Sequence, residues 1–293
     1  MTEDESHREL TDRKFYKAEQ EAGFVEAQPR IKPQQQDPAY RLAFRDTDFL
    51  LREELRPVRF QLELLKPEML LDEAEIGSTL VVYGSARIPS PEEAEVLRAE
   101  ATTPERKAVV ERLIAKSRYY EEARKLGFIA GRCAMVEDGQ RQFVICSGGG
   151  PSIMEAANRG AAEAGAESIG LNIVLPHEQE PNGYVTPHLS FQFHYFALRK
   201  MHFLLRARAV AVFPGGFGTF DEFFELLTLI QTGKMQPIPI LLFGADYWNR
   251  VINFEAIAEE GVINHADLGL FHMVETAEEA WGHITAFYDL DCD

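Results

Sequence analysis

The stretch Ala209-Val210-Ala211-Val212-Phe213-Pro214-Gly215-Gly216-Phe217-Gly218-Thr219-Phe220-Asp221-Glu222 decides the fold. Its first five residues form an unbroken apolar run, as expected of a strand buried on both faces. Glycines follow at once, and apolar residues then return at 220, 223, 224, 227 and 230, a helical repeat. Strand, glycine turn and helix together make one unit of an α/β sheet. Working outward, residues 80–83, 143–146, 169–174, 189–193 and 238–243 read as further strands. Segments of helix length separate them, for example 104–126, closed by Gly127. The expected fold is α/β, a Rossmann-like doubly wound parallel sheet with helices on both faces. Ligands on such sheets bind beyond the carboxyl ends of the strands.

Before this domain the chain changes character. Residues 1–39 are polar and carry Gln28, Pro29, Pro33, Gln34, Gln35, Gln36 and Pro38, so they read as a flexible leader. Residues 40–75 regain helical periodicity but contain Pro57 and Pro67, and read as a helical extension of short pieces. Residues 76–293 form the Rossmann-like nucleotide-binding domain. With 47 acidic against 30 basic side chains the 293-residue chain carries a formal charge of −17, which argues against duplex nucleic acid or an anionic membrane as partner. No run approaches a membrane span, and the opening MTEDESHREL has neither the basic nor the apolar part of a secretory signal, so a cytoplasmic location is expected. Cys133, Cys146 and Cys292 are odd in number and form no C-x-x-C pair, and are expected as reduced thiols.

Three glycine-bearing loops follow strands: Gly84-Ser85-Ala86-Arg87, Ser147-Gly148-Gly149-Gly150-Pro151-Ser152, and Pro214-Gly215-Gly216-Phe217-Gly218-Thr219. Glycines between a strand and a helix let backbone amides approach an anion, helped by the helix dipole. None of the three matches the dinucleotide fingerprint or the G-x-x-x-x-G-K-[ST] phosphate loop, which favours a mononucleotide over NAD or ATP. His177, His188, His194 and His202 form neither H-x-x-x-H nor H-E-x-x-H, so no metal is expected.

Glu222 admits two readings. Thr219-x-x-Glu222 has the form of a helix-capping box, as do Ser90-x-x-Glu93, Ser152-x-x-Glu155 and Thr276-x-x-Glu279. Beside a phosphate-binding loop the same carboxylate would instead address another part of a ligand. Arg199-Lys200 opens a helix near Ala197, where the macrodipole disfavours cations, and that conflict points to an anionic partner. Lys200 has no local acidic partner of the kind that pyridoxal-phosphate chemistry requires.

These residues resemble the Lonely guy family, cytokinin riboside 5′-monophosphate phosphoribohydrolases long mislabelled lysine decarboxylases. The resemblance covers about Thr79 to Phe287 and rests on P-G-G-x-G-T-x-x-E at 214–222, the triple glycine at 148–150 and Arg199-Lys200. It implies hydrolysis of the N-glycosidic bond of a nucleoside 5′-monophosphate to free base and ribose 5-phosphate, with no metal or redox cofactor. By the same resemblance Arg199 and Glu222 are catalytic. Gly84, Ser85, Gly148, Gly149, Gly150, Lys200, Pro214, Gly215, Gly216, Phe217, Gly218, Thr219 and Thr228 line the nucleotide site, and the chain forms a homo-oligomer. The pattern departs from the plant type after the triple glycine (Pro151-Ser152-Ile153-Met154-Glu155), before the arginine (Phe193-His194-Tyr195-Phe196-Ala197-Leu198), and in the leader. AMP therefore stands beside N6-prenylated AMP as a substrate, and a nucleotide carrier of the same fold is the alternative to an enzyme.

Overall fold

The computed structural model describes residues 15–133, 135–176 and 180–290. The chain divides into two units between Gln61 and Leu62. In the first, a helix spans Ala18–Ala27, within the stretch read as leader, and single helical turns follow at Pro33–Gln36 and Thr47–Leu50. Helix α1 (Arg56–Glu73) begins in this unit, and its residues from Leu62 onward belong to the second. The prolines expected to break it do not. Pro57 sits in the first turn, where a missing N–H costs nothing, and Pro67 is buried within the helix, held by packing despite the lost hydrogen bond.

The second unit is built on strands β1 (Thr79–Tyr83), β2 (Val144–Ser147), β3 (Ser168–Ile173), β4 (Ser190–Phe193), β5 (Ala207–Val212), β6 (Ile240–Phe243) and β7 (His272–Val274). They form one sheet in the order β4-β3-β2-β1-β5-β6-β7, and every neighbouring pair is parallel. The chain winds outward from β1 through β4, returns to β1's other edge at β5, and winds outward again. That reversal at β1 opens a crevice over its carboxyl end. The three glycine loops follow β2, β1 and β5, the adjacent central strands, so the topology gathers them at the crevice.

The helices are α2 (Pro91–Glu100), α3 (Pro104–Ile114), α4 (Ser117–Cys133), α5 (Ile153–Glu163), α6 (Phe196–Leu205), α7 (Phe217–Gln231), α8 (Ala245–Val251), α9 (Phe254–Glu259) and α10 (Ala277–Tyr288). Side chains alternate along each strand, so the sheet feeds two cores. Leu80, Val82, Ile145, Ala209 and Ala211 face α4, α5 and α10. Val81, Tyr83, Cys146, Val210 and Val212 face α6, α7 and Trp248.

Three details differ from the sequence reading. The helix expected over 104–126 is two helices, α3 and α4, and Gly127 lies inside α4 rather than closing it. A Cβ on Gly127 would stand 2.2 Å from the Ala157 carbonyl oxygen, and one on Gly160 would stand 1.8 Å from the Arg124 carbonyl oxygen. The glycines let α4 and α5 cross almost backbone to backbone. Second, β7 is three residues long, too short to show a period, and a hairpin pairs 136–137 with 140–141 through Asp138-Gly139, both with positive φ. Third, Cys133 is disulfide-bonded while Cys146 is a buried free thiol; Cys292 lies outside the described residues.

The crossing yields a stability prediction. Gly160→Ala is expected to lower the urea-unfolding stability by about 1–3 kcal/mol or more, the usual cost of overpacking a rigid contact. Gly282→Ala, in α10 with open space at its Cβ position, is expected to raise it by up to about 1 kcal/mol. Equal effects at the two positions would refute the close-crossing account.

Candidate active site

Beyond the carboxyl end of β1 lies a cleft of about 740 Å³. The sites expected at Gly84, Ser85, Gly148, Arg199, Glu222 and all six residues 214–219 line it. Backbone hydrogen bonds at Ser85 stitch the loops together. Its N–H donates to the Pro214 carbonyl at 3.1 Å, and its own carbonyl accepts from the Ile153 N–H at 3.3 Å. At the mouth, α7 starts at Phe217 with Gly216 as N-cap and no capping side chain. Its first-turn amides are open toward the cleft, as anion binding requires.

The helix start also settles the capping question. Thr219 is a helical residue, not the N-cap, and Glu222 lies a turn and a half into α7. Its carboxylate therefore caps nothing. Glu155 does not cap either, because it accepts a hydrogen bond from the Tyr120 hydroxyl at 3.0 Å. Ser90 and Glu93 do form the reciprocal box, and Thr276 caps the Glu279 amide.

Arg199 and Glu222 meet on the cleft floor, with Arg199 Nη1 3.7 Å from Glu222 Oε1. Glu222 is 9% exposed, and burial pushes its carboxyl up to about 7, with Arg199 the chief opposing influence. Burial likewise lowers Arg199 from its ordinary value, and Glu222 opposes that shift. The separation exceeds a hydrogen bond, so each charge offsets only part of the other's desolvation. Arg199 is fixed from two further sides: its Nε donates to the Leu171 carbonyl at 2.7 Å, and its guanidinium lies 5.0 Å from the centre of the Phe203 ring. Gly148 is what admits it, since a Cβ there would stand 2.7 Å from Arg199 Nη2.

Four expected site residues do not line the cleft. Lys200 points away and bridges Asp221 at 3.0 Å and Glu225 at 2.9 Å, strapping α6 to α7 and so fixing Arg199 relative to Glu222. The Gly149 and Gly150 carbonyls are both held by Asn182, at 2.8 and 3.0 Å. Thr228, exposed on α7, turns its hydroxyl back to the Phe224 carbonyl at 2.7 Å. Conversely, the sequence reading missed Tyr83, Lys116, Met154, Phe203 and Tyr247, all of which line the cleft. Tyr83 was legible in principle as the last residue of a strand before a glycine loop. Lys116 and Tyr247 come from segments with no motif. Lys116 lies 5.9 Å from the centre of the Tyr247 ring, and the Tyr247 hydroxyl donates to the Gly215 carbonyl.

Residues 154–284 match the family model described as possible lysine decarboxylase. The pyrimidine/purine nucleotide 5′-monophosphate nucleosidase of Escherichia coli (strain K12) is 31% identical over 129 residues, 40% of this chain and 28% of that protein. The probable cytokinin riboside 5′-monophosphate phosphoribohydrolase LOG4 of Oryza sativa subsp. japonica is 25% identical over 145 residues, 48% of this chain and 62% of that protein. The chain thus spans less than two thirds of the length of either curated relative. Among solved structures, the molybdenum cofactor binding protein from the phototrophic bacterium Rippkaea orientalis aligns over 72% of this chain and 98% of its own, with 17% identity and a TM-score of 0.43.

Glu222 makes stability depend on pH. The folded chain holds its proton more tightly than the unfolded chain, whose carboxyl titrates near 4.5, so the stabilisation is full below 4.5 and lost as pH rises through about 7. Glu222→Gln keeps the neutral shape. Urea titrations should find it more stable than the parent at pH 8, by on the order of 3 kcal/mol, and no different near pH 4. A capping role would give the opposite sign, a loss of about 1 kcal/mol.

Proposed function

We propose that this chain acts as a Lonely guy-type enzyme, hydrolysing the N-glycosidic bond of a nucleoside 5′-monophosphate, AMP or N6-prenylated AMP, to the free base and ribose 5-phosphate; its similarity to the two curated relatives supports that reading. The observation that carries this reading is the buried Arg199–Glu222 pair facing the glycine loops across one cleft. A phosphate fits the mouth, where the open amides of α7 and the cations Arg87 and Lys116 line the wall. The ribose then lies inward, toward Glu222.

The chemistry follows from charge. Breaking the bond from C1′ to the base nitrogen sends its electron pair to the base and leaves positive charge on the ribose ring; water adds its oxygen to C1′, and the base gains a proton. An ionised Glu222 stabilises that positive charge and orients the water. With its carboxyl near 7, Glu222 exchanges protons readily around neutrality. Arg199, fixed beside Glu222 on the floor, is better placed to assist the departing base than to hold a phosphate at the mouth.

The same reading takes the protein to be cytoplasmic; among the described residues no helix is long and apolar enough to cross a membrane. It also takes the chain to be a homo-oligomer. Phe196, Met201 and Leu205 of α6 and Phe224 of α7 are 55%, 46%, 42% and 37% exposed, apolar surface of the kind a second copy covers. Light scattering is expected to return a multiple of 33.2 kDa. A fully active monomer would remove that part of the reading.

The central test is product release. Incubation with AMP or prenylated AMP is expected to liberate the free base, and Glu222→Gln should lower kcat by at least about 100-fold with affinity held within several-fold. Nucleotide binding without base release from any common monophosphate would identify a carrier instead.

A further inference from the structure

Tyr83, the last residue of β1, lines the cleft floor and takes no part in the chemistry described above. It is 5% exposed, and its hydroxyl is buried with no hydrogen-bond partner among the described residues. A hydroxyl taken out of water without a partner costs free energy, and natural cores rarely leave one so. Its ring is held edge-on to Phe203, with centroids 5.1 Å apart, and the same Phe203 ring carries Arg199 on its face. Tyr83 is therefore fixed in the layer that holds the catalytic pair.

Glu222, on the same floor, also takes no hydrogen bond from any described group. Its carboxylate is almost excluded from water, and its cation stands at 3.7 Å. One floor thus holds a buried hydroxyl without an acceptor and, lining the same cleft, a carboxylate to which no described group donates. We propose that Tyr83 is a positioning residue whose hydroxyl donates to the Glu222 carboxylate and holds it toward the ribose.

The surroundings favour that contact once the carboxylate is charged. The charges that act on Glu222 are Arg199 and Lys200 from α6 and Asp221 and Glu225 on its own helix; the Glu222 charge in turn acts on Tyr83 of β1, and the Cys146 thiol on β2 interacts with Tyr83 and Arg199. Lys200 is committed to Asp221 and Glu225, which leaves Arg199 as the remaining cation and Tyr83 as the uncommitted hydroxyl. Burial raises the Tyr83 phenol well above its ordinary value, and the Glu222 charge adds to the rise, so the phenol keeps its proton wherever Glu222 is ionised. A hydroxyl rotor has a single torsion to set, and the long Glu222 side chain supplies the rest of the approach.

The inference rests on the hydrolase reading for its purpose but not for its test. Tyr83→Phe removes one oxygen and keeps the ring against Phe203. In the full chain with 13C-labelled glutamate carboxyls, Glu222 being assigned by its loss in Glu222→Gln, the Glu222 titration is expected to move up by at least about half a pH unit in Tyr83→Phe, because a donor to the charged form is gone. Placing 3-fluorotyrosine at position 83, a stronger donor on the same ring, is expected to move it down, and this keeps the test available if the phenylalanine variant folds poorly. An unmoved titration in the folded variants overturns the proposal whether or not any nucleotide is hydrolysed. Where turnover is measured, Tyr83→Phe should lower kcat at neutral pH by about tenfold with KM within about threefold, and shift the acidic limb of the kcat profile upward with the titration. A loss confined to KM would overturn the proposal and assign the hydroxyl to substrate binding. A gain in thermal stability with an unmoved pH profile would overturn it and leave only an unpaired core hydroxyl.

Discussion

Two opposite charges kept 3.7 Å apart with little water around either are unstable company unless the fold holds both, and this fold is arranged to do so. Arg199 comes from α6 and Glu222 from α7, helices on the same face of the sheet. The Lys200 bridge to Asp221 and Glu225 ties the two helices beside the pair, at the residue next to Arg199 on α6 and at residues one and three away from Glu222 on α7. Leu171 on β3 anchors the guanidinium from the sheet, and the bare backbone of Gly148 leaves room for it. Move any of these and one charge loses its partner while remaining buried.

The placement of the cleft follows from β1. Its two neighbours arrive by different routes, one by winding outward and the other by returning, and only at that junction do three strand-ending loops face one another. Three glycine segments far apart in the chain, at 84, 148 and 215, therefore become one wall. A protein of charge −17 thus lines this cleft with Arg87, Lys116 and Arg199 against Glu222, a local reversal of the chain's overall sign.

The fold and the cleft's loops were readable because both rest on local signals: apolar runs for buried strands and glycines where backbones turn or meet. What escaped was set by tertiary context. Pro67 remains inside α1 because packing outweighs a lost hydrogen bond, and Gly127 serves a helix crossing rather than a helix end. The capping motif at Thr219 dissolved because α7 begins two residues earlier, at Phe217, which no residue pattern announces. Lys200 read as a ligand contact because its acidic partners lie 21 and 25 positions along the chain, on another helix. Tyr83 and Lys116 carry no motif, and only the assembled cleft shows what they face.

The wiring of β1 also governs how the chain acquires its structure. Thr79–Tyr83 pairs with Val144–Ser147 on one edge and with Ala207–Val212 on the other, so its second edge stays open until more than a hundred further residues have been made. During synthesis a strand buried along its whole length waits with unpaired amides and carbonyls on one edge, the condition that invites aberrant strand addition. Closure of that edge is a contact of high sequence separation, hence slow relative to helix formation nearby. A chain ended anywhere before β5 lacks both the strand that covers this edge and α7 beyond it, and with α7 it lacks Glu222.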